Sequence, residues 1–131
     1  MKAIAISIIA VVLLIGGSFI LTKKNSEFET GTHAAPNNVA VVDGKQIITI
    51  NAKGGYLPRK SIAKAGIPTI IRFDTNGTFD CSSSVRIPSM DISKVLPQSG
   101  STNIDIGIQQ IATLQGACGM GMYPFEVEFI I

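Results

Sequence analysis

Hydrophobic and polar residues alternate along much of this chain and run together at its start. In "FEVEFII", Phe125, Val127, Phe129 and Ile131 fall on one side of an extended segment, with Glu126 and Glu128 on the other. "TNIDIGIQQ" repeats the pattern, setting Ile104, Ile106 and Ile108 opposite Asp105. A period of two is the signature of a half-buried strand. "QIITINA" and "IPTIIRFDT" are rich in β-branched residues and read as strands as well. Turn chemistry divides them, in "KGGYLPRK", "TNGTFD", "IPSM" and "LPQSG". "MDISKVL" reads as a short turn of helix under a loop, and no stretch after the N-terminus keeps helical spacing with caps at both ends. Many short strands with Gly/Pro turns predict an all-β domain over 45–131, a sandwich or a barrel.

The continuous run lies at the other end. Ala3 to Thr22 is twenty residues without a charge, flanked by Lys2 and by Lys23 and Lys24. About twenty apolar residues in a helix cross a bilayer's hydrocarbon core. A cleaved signal peptide would have a shorter apolar region and a small-x-small cleavage site, which "SFILTKK" does not offer. The pattern therefore predicts a single-pass anchor over 1–24 in the cell membrane. Lysines on both flanks leave the side occupied by the domain undetermined. Residues 25–44 are polar, carry Gly, Pro and Asn, and read as a flexible tether that meets a strand at "VAVV". The single histidine, His33, falls in this tether, where a solvated side chain is the ordinary reading.

Charge and composition exclude more than they assign. The net charge of +2 and the lack of a basic face or aromatic series argue against a nucleic-acid partner. Asp43, Asp74, Asp80, Asp91 and Asp105 are scattered and form no acid/base pair, and no nucleophile–base arrangement is evident, so an enzyme is not expected.

Sulfur is the exception to this blandness. The chain has 2 cysteines and 4 methionines, and "ACGMGM" gathers Cys118, Met120 and Met122, separated by single glycines. In an extended segment the three would share one face; in a loop, the glycines would let the backbone curl until the sulfurs converge. Thiolate with thioether is a soft pairing that selects Cu(I). Zinc prefers thiolate, imidazole and carboxylate, and a blue-copper centre needs two histidines, which 45–131 lacks. The other cysteine, Cys81, lies 37 positions upstream of Cys118. If folding brings them together, two thiolates could bridge two Cu(I) ions as a neutral cluster. Two other readings stay open. Cys81 and Cys118 could form a structural disulfide in an oxidising compartment, making the domain an extracytoplasmic interaction module without metal. The methionines could be adaptable apolar filler, which is also the reading for Met90 in "IPSM".

The order "GGYLPRKSIAKAGIPTIIRFDT", "FDCSSSVRIPSMDISKVLP", "CGMGMYPFEVEF" resembles the small cupredoxin domains of bacterial copper handling. It is similar to membrane-anchored, CupA-type Cu(I) chaperones and to N-terminal domains of some copper-exporting P-type ATPases. The resemblance covers roughly Gly54 to Ile131. It implies a cupredoxin-like Greek-key β-sandwich holding two Cu(I) ions. By that analogy Cys81 and Cys118 hold the tighter ion, and Met120 and Met122 complete a weaker, more exposed site that passes copper on. The implied partner is the metal-binding domain of an exporting ATPase. That role requires the cytoplasmic face; an outward-facing domain would fit scavenging or storage instead.

Overall fold

In the computed structural model, residues 37–131 are described. The expected anchor over 1–24, His33 and the first part of the expected tether lie outside them. Among the described residues no helix is long and apolar enough to cross a membrane.

The described chain forms ten strands: β1 Val39–Val42, β2 Lys45–Ala52, β3 Tyr56–Leu57, β4 Lys60–Lys64, β5 Pro68–Asn76, β6 Ser84–Ile87, β7 Ile92–Val95, β8 Ser99–Ile108, β9 Ala112–Cys118 and β10 Pro124–Ile130. Short 3₁₀ turns at Cys81–Ser83 and Pro88–Met90 interrupt the second half. One sheet runs β1-β2-β5-β8, with β3 beside β2, and the other runs β4-β10-β9-β6-β7. β2 and β5 pair in parallel, as do β4 and β10, and the remaining pairs are antiparallel. A parallel pair cannot be closed by a tight turn, so the chain crosses between the sheets instead.

The alternating positions meet in the space between the sheets. Ile48, Ile50, Ile71, Phe73, Ile104 and Ile106 come from the first sheet, and Val85, Ile87, Leu114, Phe125, Val127 and Phe129 from the second; all are buried. Tyr56, Phe73 and Phe125 pack edge-to-face, with ring centroids 5.0 to 5.8 Å apart. Gly116, directly opposite Phe125 on β9, leaves room for that ring, since a Cβ there would overlap it. At the start of the first sheet, β1 turns into β2 through Asp43 and Gly44. Both have positive φ (51° and 75°), as a type I′ hairpin turn requires. β1 therefore lies inside the 25–44 segment, at "VAVV".

Three expectations are corrected. "MDISKVL" is not a helical turn. The helical turn is Pro88–Met90, it ends at left-handed Asp91 (φ 53°), and Ile92–Val95 continues as an edge strand paired with β6. Nor does Ile108 join Ile104 and Ile106 inside. A bulge in the β5–β8 register leaves Ile106 as an extra residue, Gly107 is left-handed (φ 67°), and Ile108 turns out to solvent. Ile131, expected inward, follows the end of β10 and is exposed. Met90 is partly buried against the core, in line with the filler reading.

Candidate metal centre

Three loops meet beside Cys118. The first is the glycine turn between β2 and β3, the second is the 3₁₀ turn carrying Cys81, and the third joins β9 to β10. Cys118 ends β9 and pairs in register with Val85 of β6, whose chain has just left the Cys81 turn. That register carries Cys81 across 37 residues of sequence to a Cα–Cα distance of 5.6 Å from Cys118, and the two sulfurs are bonded as a disulfide. The folding back of Cys81 onto the glycine–methionine motif is therefore present. So is the oxidised form of the pair, and the described residues contain no free cysteine.

Between the strands the motif is a turn rather than an extended segment. Gly121 donates its N–H to the Cys118 carbonyl at 2.8 Å, and Cys118 donates to the Tyr123 carbonyl at 3.1 Å. Gly121 adopts φ +75°, a conformation that L side chains rarely take. Met120 and Met122 are held at the tip, 80% and 61% exposed, whereas Cys118 is 1% exposed. Cys81 is partly buried against the core. Leu57, in β3, and Phe79, just ahead of the Cys81 turn, are exposed as well.

Several polar groups fix this arrangement, and the sequence pattern did not single them out. Asp80 caps the Cys81 turn, accepting the Ser82 N–H at 2.8 Å and the Ser82 hydroxyl, and its other oxygen accepts the Gly54 N–H at 2.8 Å. These bonds, chiefly the one from the Ser82 hydroxyl, hold its carboxyl below the usual carboxylate range. The signal was present in "DCSS", an Asp just ahead of a short helical turn. Tyr56 donates its hydroxyl to the Ser84 carbonyl at 2.7 Å. Burial, assisted by the negative charge of Asp80, pushes its phenol well above the ordinary value, so it remains a donor. Tyr123 packs on the backbone of Gly55, where an added Cβ would lie 3.6 Å from the ring.

The donor set is soft. A disulfide supplies no thiolate, so the set is complete only after a two-electron, two-proton reduction gives two thiols that can ionise. At 5.6 Å between Cα atoms, the two thiolates would then face each other, with two thioethers on the adjoining turn. Among the described residues no group of three or more His, Cys, Asp or Glu side chains could hold a harder ion.

The fold has solved counterparts. The Cu(I)-bound metal-binding domain of the Cu(I)-exporting P-type ATPase CopA from Streptococcus pneumoniae D39 is similar, at a TM-score of 0.64 and 22% identity, covering 71% of this chain and 93% of that one. A copper binding protein solved by NMR in its apo form is similar at a TM-score of 0.65 and 25% identity, covering 70% of this chain and 94% of that one. No curated protein matches the sequence. The model of the cupredoxin-like domain family matches residues 10–131, and the chain belongs to that family.

Proposed function

We propose that this protein is a membrane-tethered Cu(I) carrier. Reduced Cys81 and Cys118 hold copper between them, and Met120 and Met122 complete a second, weaker site from which the ion leaves. Copper is the cargo, and two ions bridged by the thiolates would form the neutral cluster that partial burial favours. One observation carries this reading: the fold brings together two cysteines distant in sequence, at a turn that exposes two otherwise scarce thioethers. The likeness to a Cu(I)-bound ATPase domain and to a copper binding protein supports it. A copper-exporting P-type ATPase is the partner in keeping with that likeness, and the charge-free N-terminal run would tether the carrier beside it.

The test is an anaerobic titration of the reduced 131-residue chain with Cu(I), in competition with a chromogenic chelator. The chain is expected to take copper from the chelator and to lose that ability when both cysteines become serine. Failure to compete, or competition that survives the double change, sinks the proposal. Reporter fusions then decide the side of the membrane the domain faces, because only a cytoplasmic domain can load an exporter.

The disulfide favours a second reading, an extracytoplasmic interaction module stabilised by Cys81–Cys118 and needing no metal. Alkylation at the moment of cell lysis separates the two. Two trapped thiols support the carrier, and a fully oxidised, copper-free protein supports the module.

A further inference from the structure

The hydroxyl of Ser84 is used twice. It accepts the Gly119 N–H at 3.0 Å and donates to the Cys81 carbonyl at 3.2 Å. One bond ends on a cysteine and the other on the residue that follows the second cysteine. Among the described residues no other side chain hydrogen-bonds to both cysteine-bearing segments. Ser84 is itself fixed, because its carbonyl accepts the Tyr56 hydroxyl at 2.7 Å and its neighbour Val85 pairs with Cys118.

We propose that Ser84 is a positioning residue, a clasp that holds Cys81 and Cys118 face to face. The copper part of this inference rests on the carrier reading; the thiol part does not. The clasp also accounts for the first glycine of the motif. A Cβ at Gly119 would lie 2.7 Å from the Ser84 hydroxyl oxygen, so a larger residue would displace the hydroxyl. The two glycines of "CGMGM" thus have separate purposes. Gly119 admits the clasp, and Gly121 supplies the left-handed turn.

Holding two thiols in mutual reach raises their effective concentration, which favours both disulfide closure and chelation of one ion by two thiolates. The redox step balances against glutathione. Two glutathione thiols become glutathione disulfide as the Cys81–Cys118 bond becomes two thiols, with two electrons and two protons transferred. Losing two hydrogen bonds of ordinary net strength should lower the disulfide's equilibrium constant about ten-fold. For a two-electron couple this raises the reduction potential by about 30 mV.

The experiment equilibrates the metal-free chain in glutathione redox buffers and counts thiols after an acid quench. The parent is compared with Ser84→Ala, Ser84→Thr, Gly119→Ala and the Ser84→Ala/Gly119→Ala pair. Ser84→Ala should show the ten-fold shift, and Ser84→Thr, which keeps the hydroxyl, should restore the parent value. Gly119→Ala should resemble Ser84→Ala, and the pair should be no worse than either alone, as expected for two changes that remove one contact. An unmoved potential in folded Ser84→Ala, or additive losses in the pair, overturns the clasp. A general loss of stability would move the urea midpoint without this pattern. Cu(I) competition on the same reduced proteins should show a parallel ten-fold loss at the dithiolate. A shifted potential with no Cu(I) uptake by any variant keeps the clasp and removes the carrier reading. Uptake by the parent with an unmoved potential does the reverse.

Discussion

Reducing Cys81–Cys118 without metal should cost the domain much of its stability, and Cu(I) should return it. The bond closes a ring across a sequence separation of 37. Opening a ring of that size releases denatured-state entropy worth about 4 kcal/mol in the chain-entropy model. Domains of this size are typically stable by about 5–15 kcal/mol, so the loss is a large share of the whole. Cu(I) that binds only the folded, reduced form adds stability according to its excess over Kd. That is about 2.7 kcal/mol at a hundred-fold excess and about 4.1 kcal/mol at a thousand-fold, enough to offset the reduction. Urea unfolding of oxidised, reduced and Cu(I)-loaded samples measures all three values under one buffer. The chain has no tryptophan, so far-ultraviolet dichroism and the near-ultraviolet signal of buried Tyr56 are the probes. Equal stability of the oxidised and reduced forms would refute the claim that the bond constrains the unfolded chain. A reduced form that Cu(I) leaves unchanged would refute the claim that the same two sulfurs hold the ion.

Three further outcomes are expected. Met120→Leu with Met122→Leu should abolish the weaker Cu(I) site and spare the tighter one in stoichiometric competition; equal loss of both would contradict the division between thiolates and thioethers. Gly116→Ala should destabilise the fold by about 1–3 kcal/mol in urea, because its methyl would meet the Phe125 ring. Asp80 has its folded pKa held below the ordinary 3.8, so its contribution is present above that value and lost as pH falls through the folded pKa. In Asp80→Asn the acid-induced drop in urea midpoint should shrink, and an unchanged acid profile would show that the cap on the Cys81 turn does not matter.

The strands that announced themselves were those whose inward positions carry large apolar side chains: β2, β5, β8 and β10. β9 stayed hidden although it ends in Cys118, one of the four candidate ligands. Its inward positions are Leu114, Gly116 and Cys118, and the space above Gly116 is filled by Phe125 from the neighbouring strand. Alternation cannot be read where the bulk at a position comes from another segment. β4 was silent for a related reason, since its inward positions are Ser61 and Ala63, and Ser61 accepts the Asn38 side-chain amide at 2.8 Å. In the candidate centre, Cys118, Met120 and Met122 were legible because they are local. The place of Cys81 depends on the β6–β9 register, a long-range property that no window of sequence contains. Ser84 and Asp80 were missed because serines and aspartates are common in loops, and only their partners distinguish these two.

Exposure separates the four sulfurs in a way that bears on transfer. Cys118 is 1% exposed and Cys81 partly buried, while Met122 and Met120 stand 61% and 80% in solvent on a turn only a few residues long. A charged thiolate pair in partial burial is stabilised by the cation it holds, so copper leaves it reluctantly. A neutral thioether in solvent has no such dependence, and its ion can be approached by an incoming ligand. On the carrier reading, retention and release therefore fall to different ligand types at different depths. Oxidation acts on only one of them. Closing the disulfide removes both thiolates and leaves both thioethers where they are. On that reading the redox state of Cys81 and Cys118, more than the presence of the motif, decides whether the domain can retain copper.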